Sequence, residues 1–168
     1  MKVFGLRGWS GSRKTTLLVR LIPELVERGL RVSTVKHAHH GFDVDQPGKD
    51  SHRHREAGAT EVMVSSARRF ALMHERRDGT EASLDELLTR MSPVDLVLVE
   101  GYKEQPHDKL EIWRAATGKP LLAASDPHVV AVATTDPLPP QRVTVLDLND
   151  VPAIADFIVR HCRLKPQR

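Results

Sequence analysis

Gly8-Trp9-Ser10-Gly11-Ser12-Arg13-Lys14-Thr15 carries the spacing of a phosphate-binding P-loop, G-x-x-x-x-G-K-[ST], with arginine in place of the second glycine. The chemistry is anion capture. Backbone N–H groups of such a loop and of the following helix converge on a phosphate, and the helix dipole adds to their pull. In this pattern Gly11, Ser12, Arg13, Lys14, Thr15 and Thr16 form the cradle. Lys14 reaches the outer phosphates, and Thr15 offers its hydroxyl to Mg²⁺. Arg13 is the departure. Glycine is used beside phosphates because it permits close approach and positive φ, and an arginine forced into the left-handed region costs roughly 1–2 kcal/mol. Its side chain either fills the phosphate space or projects to solvent as extra positive charge. The plain alternative is an ordinary helix-start turn rich in Gly and Ser.

A second motif supplies the metal side. Leu96-Val-Leu-Val-Glu100-Gly101 is an apolar strand ending in an acid, the shape of a Walker B element. An acid at the carboxyl edge of a strand beside the P-loop strand holds Mg²⁺ through water, so Glu100 pairs with Thr15 as the Mg²⁺ set. Asp95 stands at the wrong end of the same strand, and the alternative for Glu100 is a solvent-facing turn residue. A third group is basic and polar: Lys36, His37, His39, His40, Asp43, Asp45, Lys49, Asp50, Arg53 and Arg55 are expected to line a second anion pocket. A transition-metal site on the histidines is less supported, because no cysteine or Glu-x-x-His pattern accompanies them. The Asp43-Val-Asp45-Gln-Pro47-Gly48 run begins like a calcium loop but fails, with Pro47 and His54 where oxygen ligands are required. No N-K-x-D guanine reader is present; Asp126 or Asp136, each just past an apolar run, is the substitute for base recognition.

These groups need a scaffold, and the hydrophobic pattern describes one. Val3–Leu6 reads as a strand running into the loop. Leu17, Leu18, Leu21, Ile22, Leu25 and Val26 form one helical stripe stopped by Gly29, with Pro23 expected to kink it or break a hydrogen bond. Strands are expected at Arg31–Lys36, Glu61–Ser65, Arg69–His74, Val94–Val99, Lys109–Trp113, Pro120–Ala124, Val129–Ala133 and Val143–Leu146. Asp50 or Ser51 caps a short helix closed by Gly58. Ser83 with Glu86 makes a capping box, and Asp150 caps a last helix with Pro152 in its first turn. Strands and helices mostly alternate. The expected fold is a three-layer α/β, P-loop NTPase-like domain with a mostly parallel central sheet flanked by helices, over residues 1–163, with a frayed tail at 164–168.

Composition narrows the function. With 40% hydrophobic and 28% charged residues the chain is expected to be globular, and its apolar runs are too short to span a bilayer. A single cysteine, Cys162, excludes an internal disulfide, and no leader pattern precedes Val3, so a cytoplasmic setting is expected. A net charge of +3 is mild, and 4% aromatic residues give little material for base stacking, so no nucleic-acid partner is expected.

Taken together, Gly11-Ser12-x-Lys14-Thr15-Thr16-Leu17-Leu18, Lys36-His37-x-His39-His40, Asp43-x-Asp45-x-Pro47-Gly48-Lys49-Asp50-Ser51, Arg55-x-Ala57-Gly58-Ala59, Ala71-Leu72-Met73-x-Glu75 and Asp95-Leu-Val-Leu-Val-Glu100-Gly101 resemble the molybdopterin-guanine dinucleotide biosynthesis protein B (MobB) family over nearly the whole chain. The resemblance implies a GTP-binding P-loop fold, a homodimer, GTP with Mg²⁺, weak GTPase activity at most, a molybdopterin-type ligand, and an accessory role beside the guanylyltransferase that joins GMP to molybdopterin. It places the nucleotide on Gly11 to Thr16 and the acid at Glu100. Two other functions stay open. A P-loop small-molecule kinase would draw a lid from Arg53, Arg55, Arg68 and Arg69 and a base from Asp43 or Asp45. A nucleotide-free scaffold would follow if Arg13 blocks the loop.

Overall fold

A computed structural model describes residues 1–38 and 41–165. Within it the chain divides into two compact units, Met1–His37 with Ser92–Arg168, and Ala38–Met91.

The first unit is built on a six-stranded sheet of β1 (Lys2–Arg7), β2 (Val32–Lys36), β5 (Leu96–Glu100), β6 (Lys109–Ile112), β7 (Val129–Thr134) and β8 (Thr144–Asp147), in the order β2-β5-β1-β6-β7-β8. Every pairing is parallel. Parallel strands need crossovers and burial on both faces, which is why β5 is a continuous apolar run, with Leu96 through Val99 fully buried. Helices α1 (Lys14–Glu27) and α4 (Val151–His161) pack together over one face, their Leu17, Leu21, Leu25, Ile154 and Ile158 meeting Phe4, Leu6, Leu98, Leu110 and Ile112. Helix α1 runs through Pro23, which has no N–H to donate to the preceding turn. The Asp150 carboxylate accepts the Ala153 N–H at 3.0 Å, so α4 starts where the capping signal places it.

Alternation along β6 puts Lys109 and Glu111 on one face, and both are buried. The Lys109 ammonium donates to the Gln105 and His107 carbonyls at 2.7 and 2.9 Å. Glu111 accepts the Leu122 and Ala123 N–H groups at 2.9 and 2.8 Å. Those two bonds correct one expectation: Pro120–Ala124 is no strand but a loop ending in a 3₁₀ turn at Leu122–Ala124, because the carboxylate of a neighbouring strand takes the N–H groups that a ladder would need.

The second unit holds α2 (Asp50–Glu56), the antiparallel pair β3 (Glu61–Ser65) and β4 (Phe70–His74), and α3 (Leu84–Thr89). Ser83 caps α3 as expected, accepting the Glu86 N–H at 3.1 Å. Helix α2 is not capped by Asp50 or Ser51 as expected: Lys49 is the capping position, and Asp50 is already helical, where its charge favours the first turn.

Candidate functional site

The sheet delivers its functional residues at one edge. Strand β1 ends at Arg7, and the loop Gly8–Arg13 leads into α1. The loop is tight where the sequence demands glycine. A Cβ on Gly8 would lie 2.5 Å from the Ile112 carbonyl oxygen and 2.6 Å from the Ser12 hydroxyl. Gly11 has φ 79°. Arg13 has φ 69° and ψ 31°, the left-handed conformation that glycine holds without penalty, and the residue is exposed. The arginine therefore accepts the backbone shape at a cost of roughly 1–2 kcal/mol, with the residue exposed to solvent. Ser12 is 1% exposed, and its hydroxyl has no hydrogen-bond partner among the described residues. The loop is closed by the Ser12 N–H donating to the Trp9 carbonyl at 3.1 Å.

Lys14 arches back over this loop. Its ammonium donates to the Gly8 carbonyl at 2.8 Å and the Trp9 carbonyl at 3.0 Å, with a donor to spare. Partial burial lowers its pKa, the Glu100 carboxylate opposes that shift, and the Lys103 ammonium adds to it. Thr15 and Thr16 are exposed on the first turn of α1.

Glu100 is the last residue of β5, level with Leu6 of β1 and Lys36 of β2. Its carbonyl accepts the His37 N–H at 2.8 Å. The next residue, Gly101, has φ 105°, and a Cβ there would lie 2.3 Å from the His37 Cβ. Thus the Lys36-His37 and Glu100-Gly101 pairs, read separately in sequence, share one sheet edge with the P-loop. His39 and His40 lie outside the described residues.

The other expected members of the anion pocket belong to the second unit, where charge is largely satisfied internally. The Arg55 guanidinium donates to Asp43 at 2.8 Å, Asp45 at 3.1 Å and Glu75 at 2.9 Å. The Arg55 bonds hold the Asp43 carboxyl below its ordinary range; the Ser51 hydroxyl, at 2.8 Å, does the same for Asp45. Lys49, Asp50 and Arg53 are exposed. Among the described residues no cluster of three or more His, Cys, Asp or Glu side chains is arranged to hold a metal ion.

The two aspartates considered for base recognition differ in position. Asp126 precedes β7, at its amino end; its carboxylate is ion-paired with Arg7 and accepts the His128 N–H at 3.0 Å. Asp136 follows β7, on the carboxyl edge shared with the P-loop, and accepts the Ala115 N–H at 2.9 Å. Sequence reasoning overlooked Arg7, Lys103, Lys109 and Glu111. Charged residues at alternate positions of β6 look like a half-exposed strand, and only the tertiary partners reveal them as buried.

A parallel sheet whose first strand feeds a glycine loop and helix, beside a strand ending in an acid, defines a P-loop fold. The comparisons narrow that class. The family model for molybdopterin guanine dinucleotide synthesis protein B matches residues 3–135. The chain is 48% identical over 154 residues to the molybdopterin-guanine dinucleotide biosynthesis adapter protein of Escherichia coli, covering 90% of this chain and 87% of that protein. It is likewise 48% identical over 158 residues to the protein of that name from Haemophilus influenzae, covering 93% and 86%. A crystal structure of a MobB homolog from Bacillus stearothermophilus superposes with a TM-score of 0.72 at 28% identity, covering 97% of this chain and 99% of that one. This chain belongs to the MobB family. Among the described residues no helix is long and apolar enough to cross a membrane.

Proposed function

We propose that this protein is a GTP- and Mg²⁺-binding adapter in molybdopterin guanine dinucleotide synthesis, which presents nucleotide to a guanylyltransferase and has at most weak GTPase activity. The observation that carries the reading is Arg13 at φ 69°: the loop keeps the backbone of a glycine P-loop, and the substituted residue is exposed. The site also fits the group chemically. Gly8 leaves no room for a side chain, Ser12 offers a buried hydroxyl, and Lys14 and Glu100 lie within electrostatic reach of one another. Residues Gly11 to Thr16 would hold the phosphates, Thr15 and Glu100 the Mg²⁺, which supplies charge neutralisation between phosphates. Asp136, on the edge shared with the P-loop, is the better placed base reader, since ligands of parallel sheets bind beyond the carboxyl ends of the strands.

Two further parts complete the proposal. Lys49 and Arg53 supply positive charge for an anionic, molybdopterin-type ligand, because Arg55 is already saturated by carboxylates. The protein acts as a homodimer through the outer face of β3–β4, where Met63, Phe70 and Leu72 are 61%, 68% and 44% exposed on a two-stranded sheet; a hairpin of this size is marginal without a partner surface. A kinase is less well supported, since Asp43 and Asp45, its bases, are tied to Arg55, one of its lid arginines.

The test is calorimetric titration of GTP, GDP and ATP, with Mg²⁺, into this chain and its Arg13→Gly variant. GTP binding by both, within about tenfold of each other, is expected, because Arg13 already holds the left-handed backbone without ligand, so its strain is common to the free and bound states. Silence from both overturns the nucleotide reading. Binding by the glycine variant alone makes the natural protein a nucleotide-free scaffold.

A further inference from the structure

We propose that Trp9 is a positioning residue of the phosphate site: its indole latches the P-loop to a strap at 113–124, and the buried Glu111 anchors that strap in the sheet. The inference rests on the nucleotide reading above and adds a residue at a position that the P-loop pattern leaves free.

Bonds of the loop meet at Trp9. Its carbonyl accepts the Ser12 N–H at 3.1 Å and the Lys14 ammonium at 3.0 Å. Whatever fixes Trp9 therefore steadies both the buried serine and the lysine expected to reach the phosphates. The Trp9 side chain reaches the strap. Its indole N–H donates to the Pro120 carbonyl at 2.9 Å, and the Lys119 ammonium lies 5.7 Å from the ring centre, within range of a cation–π attraction. The start of the loop also abuts the origin of the strap. A Cβ on Gly8 would lie 2.5 Å from the carbonyl oxygen of Ile112, the last residue of β6.

The strap is fastened at both ends. At its start the Trp113 N–H donates to the Ala133 carbonyl of β7 at 3.1 Å, and the Ala115 N–H to the Asp136 carboxylate at 2.9 Å. In its middle the Trp113 indole donates to the Lys119 carbonyl at 2.9 Å, across a turn at Gly118 with φ 62°. At its end the Glu111 side chain accepts the Leu122 and Ala123 N–H groups. A buried carboxyl group is costly unless it is hydrogen-bonded, so Glu111 and the end of the strap hold one another in place. The P-loop thus rests on a segment tied to β6 and β7 before any ligand arrives. A loop held in its binding shape in advance loses less conformational entropy on capturing phosphate than a free loop would.

The experiment compares the wild-type chain with Trp9→Phe, which keeps a ring and removes the N–H. It reads hydrogen exchange over residues 8–16 and titrations of GTP and inorganic pyrophosphate with Mg²⁺. In the ligand-free variant, loop exchange is expected to rise about tenfold while the central sheet stays protected, and both affinities to fall by one common factor of about three to ten, the scale of one hydrogen bond. Saturating GTP restores loop protection in the variant, because the ligand then supplies the order that the latch supplied. Glu111→Gln, which retains one acceptor oxygen of two, raises exchange at 8–16 and 119–124 together; a rise at 119–124 alone removes Glu111 from the latch. Loop exchange and affinities within about twofold of wild type in Trp9→Phe overturn the role of Trp9. Equal loss of protection in loop and sheet makes Trp9 a general stabiliser and overturns it too, as does an affinity loss confined to GTP. A wild-type chain that binds neither ligand overturns the nucleotide reading, and loop exchange still decides the latch.

Discussion

The two compact units of this chain are held together by different forces. In Met1–His37 with Ser92–Arg168, the sheet and two helices enclose a continuous apolar core in which Phe4, Leu21, Leu25, Leu98, Ile112 and Ile158 are wholly buried. In Ala38–Met91, Val62 and Leu84 are the hydrophobic residues that reach full burial among the described residues. The work there is done by charge: Arg55 with Asp43, Asp45 and Glu75; Arg76 and Arg90 with Glu86; His74 and Arg90 with Glu61. Exposed pairs of this kind are individually worth little. The contrast teaches where strain can be stored. A well-packed unit can carry left-handed Arg13 and Tyr102 at its loops, whereas the other unit is laced by surface charge and shows apolar residues outward.

The sharpest test of this contrast is a pair of truncations. Leu98→Ala in the buried strand is expected to cost about 3–5 kcal/mol in denaturant unfolding, and Leu72→Ala on the hairpin under about 0.5 kcal/mol for the monomer. Similar costs would erase the distinction. On the homodimer proposed above, Leu72→Glu should leave the fold intact and shift mass by light scattering from dimer to monomer; an unchanged dimer removes the hairpin from the interface, and a wild-type monomer removes the proposed dimer.

Acid should attack the units in different pH windows. Burial, with the nearby Lys109 charge, pushes His107 down from 6.5 to about 4. Between those values the unfolded chain takes up a proton that the folded unit refuses. Stability of the first unit therefore falls as pH drops from about 6.5 towards 4, and His107→Leu flattens that fall. Asp43 and Asp45 have lowered values, so their contribution to the second unit is complete above their ordinary value of 3.8 and is lost only as pH falls below it. Hydrogen exchange resolved by segment reads both windows; a common midpoint would contradict the separation. At neutral pH, Arg55→Met should raise exchange in residues 43–51 and 70–75 and leave the central sheet protected.

The smallest effect concerns the loop. Arg13→Gly relieves backbone strain and adds freedom to the unfolded chain, so the net change in stability should stay within about 1 kcal/mol, in either direction. A larger stabilisation by thermal melting would show that Arg13 strains more than its own residue.

Much of this architecture is readable in the sequence because its signals are local. The apolar run ending at Glu100, the capping pairs Ser83–Glu86 and Asp150–Ala153, and the turn at Gly58 all depend on residues within a few positions. Other features depend on partners far along the chain. Pro120–Ala124 has the composition of a strand, and Glu111 makes it a turn. Asp126 and Asp136 each follow an apolar stretch, and only the sheet shows that they stand at opposite ends of β7. Arg55 looks like a cation awaiting an anion, and its anions are Asp43, Asp45 and Glu75.

Both tryptophans of the chain stand beside the phosphate loop. The Trp9 indole, within that loop, donates to the Pro120 carbonyl at 2.9 Å, with the Lys119 ammonium 5.7 Å from its ring centre. The Trp113 indole donates to the Lys119 carbonyl at 2.9 Å. Their emission therefore comes from a single neighbourhood, where ring, carbonyl and cation set its colour and yield. The protein carries a built-in optical reporter, and rapid-mixing fluorescence can time events at the loop without any attached dye.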